Sequence, residues 1–213
     1  CSVGTLVPGR TPWWAMYGGV VERGGGWGWV RLGVGGEGVG GGGFDVHHGQ
    51  KMVNAGMFLR RLTSGGKLEW IADGGGPAGA FAGAVAVGKG DSIHVTGTFG
   101  VNGKLDARFG TTTLVSSGHT DIFVAKLKPT GEYLWARAAG GKGGNDSAGS
   151  LSVCSDGTAY VSGGYRSIKP SGASARFGST TLAAHGAQDG FVAKVDSSGN
   201  FVWARGFGSE RSE

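Results

Sequence analysis

The chain has 213 residues, 39% of them apolar and 16% charged, which excludes a disordered chain and leaves room for one sizeable core. Its 48 glycines and 5 prolines make up about a quarter of the residues, but no Gly-X-Y period exists, so collagen is excluded as well. The formal charge of +5 comes from scattered Lys and Arg, with Arg60-Arg61 the longest run, so no nucleic-acid partner is expected.

In chain order, Cys1 comes first, and Cys154 is the only other cysteine, so neither a disulfide framework nor a Cys-x-x-Cys metal site is expected. A leading Cys followed by Ser2 has two readings. It is either the cut end of a longer chain or the lipid-bearing residue of a processed bacterial lipoprotein. No apolar run reaches the roughly 18 residues that a membrane span requires. Trp13, Trp14, Trp27 and Trp29 follow, in a stretch that ends in the low-complexity run "GVGGEGVGGGG" (Gly33–Gly43).

From Phe44 onward the chain repeats itself. "MFLRRLTSGGKLEW" (Met57–Trp70) returns as "IFVAKLKPTGEYLW" (Ile122–Trp135) and "GFVAKVDSSGNFVW" (Gly190–Trp203). "AVAVGKGDSIHVTGTF" (Ala84–Phe99) returns as "SLSVCSDGTAYVSGGY" (Ser150–Tyr165), and "ARFGTTTL" (Ala107–Leu114) as "ARFGSTTL" (Ala175–Leu182). The offsets run from 65 to 68 residues. By the same offset, "VERGGGWGWV" (Val21–Val30) places Trp27 and Trp29 where later copies carry Ile93 and Val95, so the N-terminal stretch reads as a degenerate copy.

Each period reads as four short strands. "FVAKL" alternates, with Phe123, Ala125 and Leu127 on one face and Val124 and Lys126 on the other. "KPTG" and "DSSG" are turn chemistry, and "EYLWAR" is the returning strand. Asp156-Gly157 is a two-residue turn signal between "SLSVC" and "TAYVSG". No segment carries a helical stripe. A four-stranded antiparallel unit repeated head to tail is the pattern of a β-propeller blade. A β-solenoid is the alternative, but its coils are much shorter and lack paired hairpins.

The phrases "DIFVAKLKPTGEYLWARAAGG", "SLSVCSDGTAYVSGGY" and "RFGSTTL" together resemble the bacterial β-propeller repeats called SBBP repeats. The resemblance covers Phe44 to Arg205 and is poor over residues 1–43. It implies a propeller fold and a secreted or cell-surface location in bacteria. It implies no activity and no catalytic residue.

The fold expected is therefore all-β, a partial β-propeller of about three blades of four antiparallel strands. The division read from the repeat is a degenerate half repeat at 1–43, blades at 44–108 and 109–176, and a truncated half repeat at 177–213. The two halves carry complementary hairpins, and a propeller needs at least four blades. The chain is then either part of a longer array or one half of a homodimer.

No reaction centre is legible. His47 and His48 are adjacent and point to opposite faces of an extended segment, so they cannot share an ion. His119 and His185 precede equivalent strands and read as turn-flanking residues. Asp121 and Asp189 occupy one repeat position and read as turn caps rather than paired catalytic carboxylates. Asp196–Asn200 lacks the spacing of a calcium loop. No catalytic residue, metal or cofactor is expected. The function expected is non-catalytic binding of a protein or carbohydrate partner. It would be carried by the loops that differ between copies, at residues 47–55, 100–106 and 167–174. The candidate binding residues are Trp13, Trp14, His47, His48, Asn102, Arg166 and Lys169. The alternative is a piece of a propeller-containing hydrolase or lyase whose catalytic groups lie elsewhere.

Overall fold

The computed structural model describes residues 57–62, 67–76, 79–100, 106–142, 144–166 and 174–209, together with the backbone of N-terminal strands at 2–3, 18–23, 26–34, 43–44 and 51–52. The described residues are all-β, with a 3-10 turn at Lys89–Asp91 and no α-helix.

Three four-stranded antiparallel meanders follow one another. Sheet I holds β2 (Gly18–Arg23), β3 (Gly26–Val34), β6 (Met57–Leu62) and β7 (Leu68–Gly74). Sheet II holds β8 (Ala80–Val87), β9 (Ile93–Phe99), β12 (Asp121–Leu127) and β13 (Tyr133–Ala139). Sheet III holds β14 (Ser147–Val153), β15 (Ala159–Arg166), β18 (Gln188–Val195) and β19 (Phe201–Phe207), with β1 (Ser2–Val3) added antiparallel to the β14 edge. Between the second and third strand of each sheet the chain makes a two-stranded flap. The flaps are β4 (Gly43–Phe44) with β5 (Lys51–Met52), β10 (Asp106–Phe109) with β11 (Thr112–Val115), and β16 (Ser174–Phe177) with β17 (Thr180–Ala183).

The hydrogen-bonded sheet and the repeat as divided from the sequence differ in phase. Sheet I draws β2 and β3 from the 1–43 stretch, and the 177–213 stretch supplies β18 and β19 to sheet III. Each terminal hairpin thus finds its partner within its own sheet.

The strands form where alternation lets both faces bury apolar groups. In β12, Phe123, Ala125 and Leu127 enter a cluster with Met57 and Leu59 of sheet I. Ile122 and Val124 enter a second cluster with Leu151, Val161 and Phe191 of sheet III. Period two thus becomes two slabs of core, one on each side of sheet II. The flaps explain the repeated "ARF". Ala107 and Phe109, like Ala175 and Phe177, are buried, and Phe109 packs on Phe123 at 4.7 Å just as Phe177 packs on Phe191 at 4.7 Å. Fully burying one such ring stabilises by about 1.5–3 kcal/mol.

Neighbouring sheets approach through their first strands: β8 packs against β2 and β3 on one side and β14 on the other. They are also fastened at the third turn. Trp70 donates its Nε1–H to the Pro129 carbonyl at 2.8 Å, and Trp135 donates to the Ser197 carbonyl at 3.2 Å. Each indole lies on the glycine two residues further along that turn, Gly131 (φ +88°) or Gly199 (φ +89°), where a Cβ would overlap the ring.

Candidate functional site

Where sheets II and III meet, two buried carboxylates converge. Asp121 opens β12 and Asp146 immediately precedes β14; each is 2% exposed. Asp121 Oδ2 accepts a hydrogen bond from the Ser117 amide at 2.5 Å. Asp146 Oδ2 accepts from the Gly141 amide at 2.8 Å, and its Oδ1 from the Arg166 amide at 3.1 Å. A Cβ built on Gly140 would overlap both Asp121 Oδ1 and Asp146 Oδ2, so the two carboxylates face the same small volume. Asp121 Oδ1 has no hydrogen-bond partner there.

Burial disfavours charge on both groups. It raises the Asp121 carboxyl above its ordinary value against the opposing pull of the Ser117 amide. It pushes Asp146 up to about 6, with the charge of Asp121 adding to the effect. Two carboxylates so placed can hold one proton between them. Each also knits backbone. Asp121 caps the Ser117 turn, and Asp146 ties the Gly140–Gly141 link to the end of β15.

Sheet III repeats half of this arrangement. Asp189 Oδ2 accepts from the amides of His185 at 2.7 Å and Gly186 at 3.3 Å, and its buried Oδ1 faces Gly208. His185, four residues before its aspartate, does what Ser117 does in sheet II; His119 sits two residues nearer to Asp121. Asp196, read from its spacing as a turn rather than a calcium loop, accepts from the amides of Ser198 and Asn200 at 2.9 Å each. Those donors hold its carboxyl below the ordinary value. Among the described residues no three His, Cys, Asp or Glu side chains converge as metal ligands. No helix among them is long and apolar enough to cross a membrane.

Of the candidate binding residues read from the sequence, Arg166 alone falls within the described structure. It closes β15, its amide holds Asp146, and its guanidinium donates to Gln188 Oε1 at 3.0 and 3.1 Å. Trp13, Trp14, His47, His48, Asn102 and Lys169 lie outside the described residues. Sequence reading missed Asp146, because its partner position in the preceding sheet link, near Gly79, carries no acid.

His94, which forms no ligand spacing with the other histidines, is chemically the least ordinary of the described histidines. It is fully buried in β9, stands edge-on to Trp135 at 6.2 Å, and neither ring nitrogen has a partner. Burial, helped by the positive Lys126, lowers it to about 4, so the ring is neutral at pH 7.

Cys154 is disulfide-bonded. The chain's other cysteine, Cys1, lies outside the described residues. One sulfur cannot hold both a disulfide and a lipid thioether, so a lipid anchor at Cys1 and a disulfide using that residue are mutually exclusive.

No protein-family model and no curated protein matches this sequence at a significant level.

Proposed function

We propose that the three sheets are successive blades of a β-propeller array that acts as a non-catalytic scaffold. It would bind a protein or carbohydrate partner through its connections, in a bacterial secreted or cell-surface protein. The observation carrying this reading is the four-strand meander with a two-stranded flap that sheets II and III share. The connections that differ between them, residues 100–105 between β9 and β10 and 167–173 between β15 and β16, occupy the same topological position. Rigid strands presenting divergent connections at one place is how binding sites are carried on repeat scaffolds. The close approach of first strands β2, β8 and β14 supports a blade-like arrangement. The disulfide at Cys154 supports an oxidising compartment.

The test replaces residues 101–105 and 167–173 with Gly-Ser and measures binding to a glycan array and to immobilised envelope proteins. Unchanged thermal unfolding with lost binding is the expected result. Binding indifferent to both replacements would sink the reading. A second reading, a piece of a propeller hydrolase or lyase, is favoured by the paired Asp121 and Asp146 carboxylates with their raised pKa values. Polysaccharide turnover by the chain that Asp146→Asn abolishes would establish it and overturn the scaffold.

A further inference from the structure

Beyond β1 at its β14 edge, the face of sheet III turned away from sheet II has no sheet packed on it among the described residues. Two equivalent positions show this, and a third supplies the anchor. A Cβ on Gly83, at the bulge of β8, would run into the Ala148 carbonyl of the next sheet, whereas one on Gly149, at the bulge of β14, meets nothing within 4 Å. Val124 is 0% exposed beneath sheet III, whereas Val192, its counterpart in β18, is only half-buried. Trp203, at the repeat position of Trp70 and Trp135, is half-buried as Trp70 is, and stands 6.1 Å from Tyr160 of its own sheet as Trp135 stands 6.2 Å from His94.

We propose that this face of sheet III is a docking surface for a further four-stranded sheet of the same repeat, with Trp203 as its anchor. The incoming sheet would present a third-turn glycine at positive φ against the indole. A carbonyl two residues earlier would accept the Nε1–H. The chemistry demanded is that of the Pro129-Thr130-Gly131 and Ser197-Ser198-Gly199 turns, because those are the occupants of the two fastenings already made. Continuity of the interface selects this occupant over a sugar or a flat apolar partner. The first sheet of a second copy is disfavoured, because Phe58 and Arg60, on the face of sheet I turned away from sheet II, are already 7% and 2% exposed. The face is not a plain copy of its predecessor. Ser150 and Ser152 stand where β8 has Ala84 and Ala86, and Phe207 over Gly190 replaces Ala139 with Ile122.

This inference rests on the array reading above, but its test is separate from any partner binding. Residues 1–208 are followed by a second run of residues 141–213, so that Gly208 takes the place of Gly140. Acrylamide quenching is compared between each chain and its Trp203→Phe variant, which isolates the Trp203 signal. The expected result is a several-fold fall in Trp203 quenching in the extended chain. Valine in place of the glycine in the added copy of the Gly199 turn should restore it. An added repeat that folds while Trp203 stays as accessible as before overturns the proposal. So does an added repeat digested by protease while residues 1–208 survive. A face-to-face dimer of the 213-residue chain that Trp203→Ala dissolves would overturn it too, by assigning the surface to a second copy. Loss of loop-borne binding, by contrast, leaves Trp203 burial unaffected.

Discussion

The indole of Trp135 in sheet II lies on Gly199 in sheet III, and its Nε1–H reaches the Ser197 carbonyl at 3.2 Å. The same relation joins Trp70 to Gly131, with Arg61 adding a second hydrogen bond to the Pro129 carbonyl at 2.9 Å. It makes one residue type at one repeat position responsible for both spacing and orientation of consecutive sheets.

Gly199→Val should therefore destabilise strongly. Left-handed backbone costs a β-branched residue more than the 1–2 kcal/mol typical of other side chains, and the Cβ also meets the Trp135 ring. A loss of about 3 kcal/mol in urea unfolding is expected. Ser198→Ala, next door and exposed, should change stability by less than about 0.5 kcal/mol. Equal effects of the two substitutions would show that the stacking carries nothing.

His94 should make stability rise with pH. Its folded pKa, about 4, lies below the unfolded value of 6.5, so the unfolded chain binds the extra proton between these limits. Stability is lost as pH falls from about 6.5 to about 4, by roughly 3 kcal/mol at 1.36 kcal/mol per unit. His94→Leu should remove this slope. Unfolding midpoints measured at pH 4.5 and pH 7 in both proteins check it.

Asp146 should tilt stability the other way over nearly the same window. Its folded pKa, about 6, lies above the ordinary 3.8, so the folded chain holds the proton longer. Its stabilisation is present below about 4 and is lost as pH rises through about 6, again by roughly 3 kcal/mol. The histidine and aspartate slopes thus oppose each other between about pH 4 and 6. Asp146→Asn, which keeps one accepting oxygen, should expose the rising histidine slope, and His94→Leu the falling aspartate slope. Two parallel profiles would refute the compensation.

The disulfide at Cys154 should leave no alkylatable thiol in the oxidised protein. Intact mass after iodoacetamide should show no adduct without reductant and two with it, given two cysteines. Reduction should lower stability by roughly 2–4 kcal/mol. A lipid-modified Cys1 would appear as added mass instead.

Much of the secondary structure was legible because it is local. Alternation in "FVAKL" set β12 and β18, and the turn glycines at 131, 157 and 199 all take positive φ. The aspartate caps at 121 and 189 were legible too, since a carboxylate four residues after a bare amide is a short-range event. What sequence alone determined was strand, turn and repeat. Which hairpins share a sheet was decided only by the tertiary structure, because a repeat has no intrinsic starting point and hydrogen bonding chooses its phase. The convergence of Asp146 on Asp121 and the burial of His94 were likewise settled by which sheet lies beside which. Burial sets the cost of a charge, and no spacing along the chain encodes it.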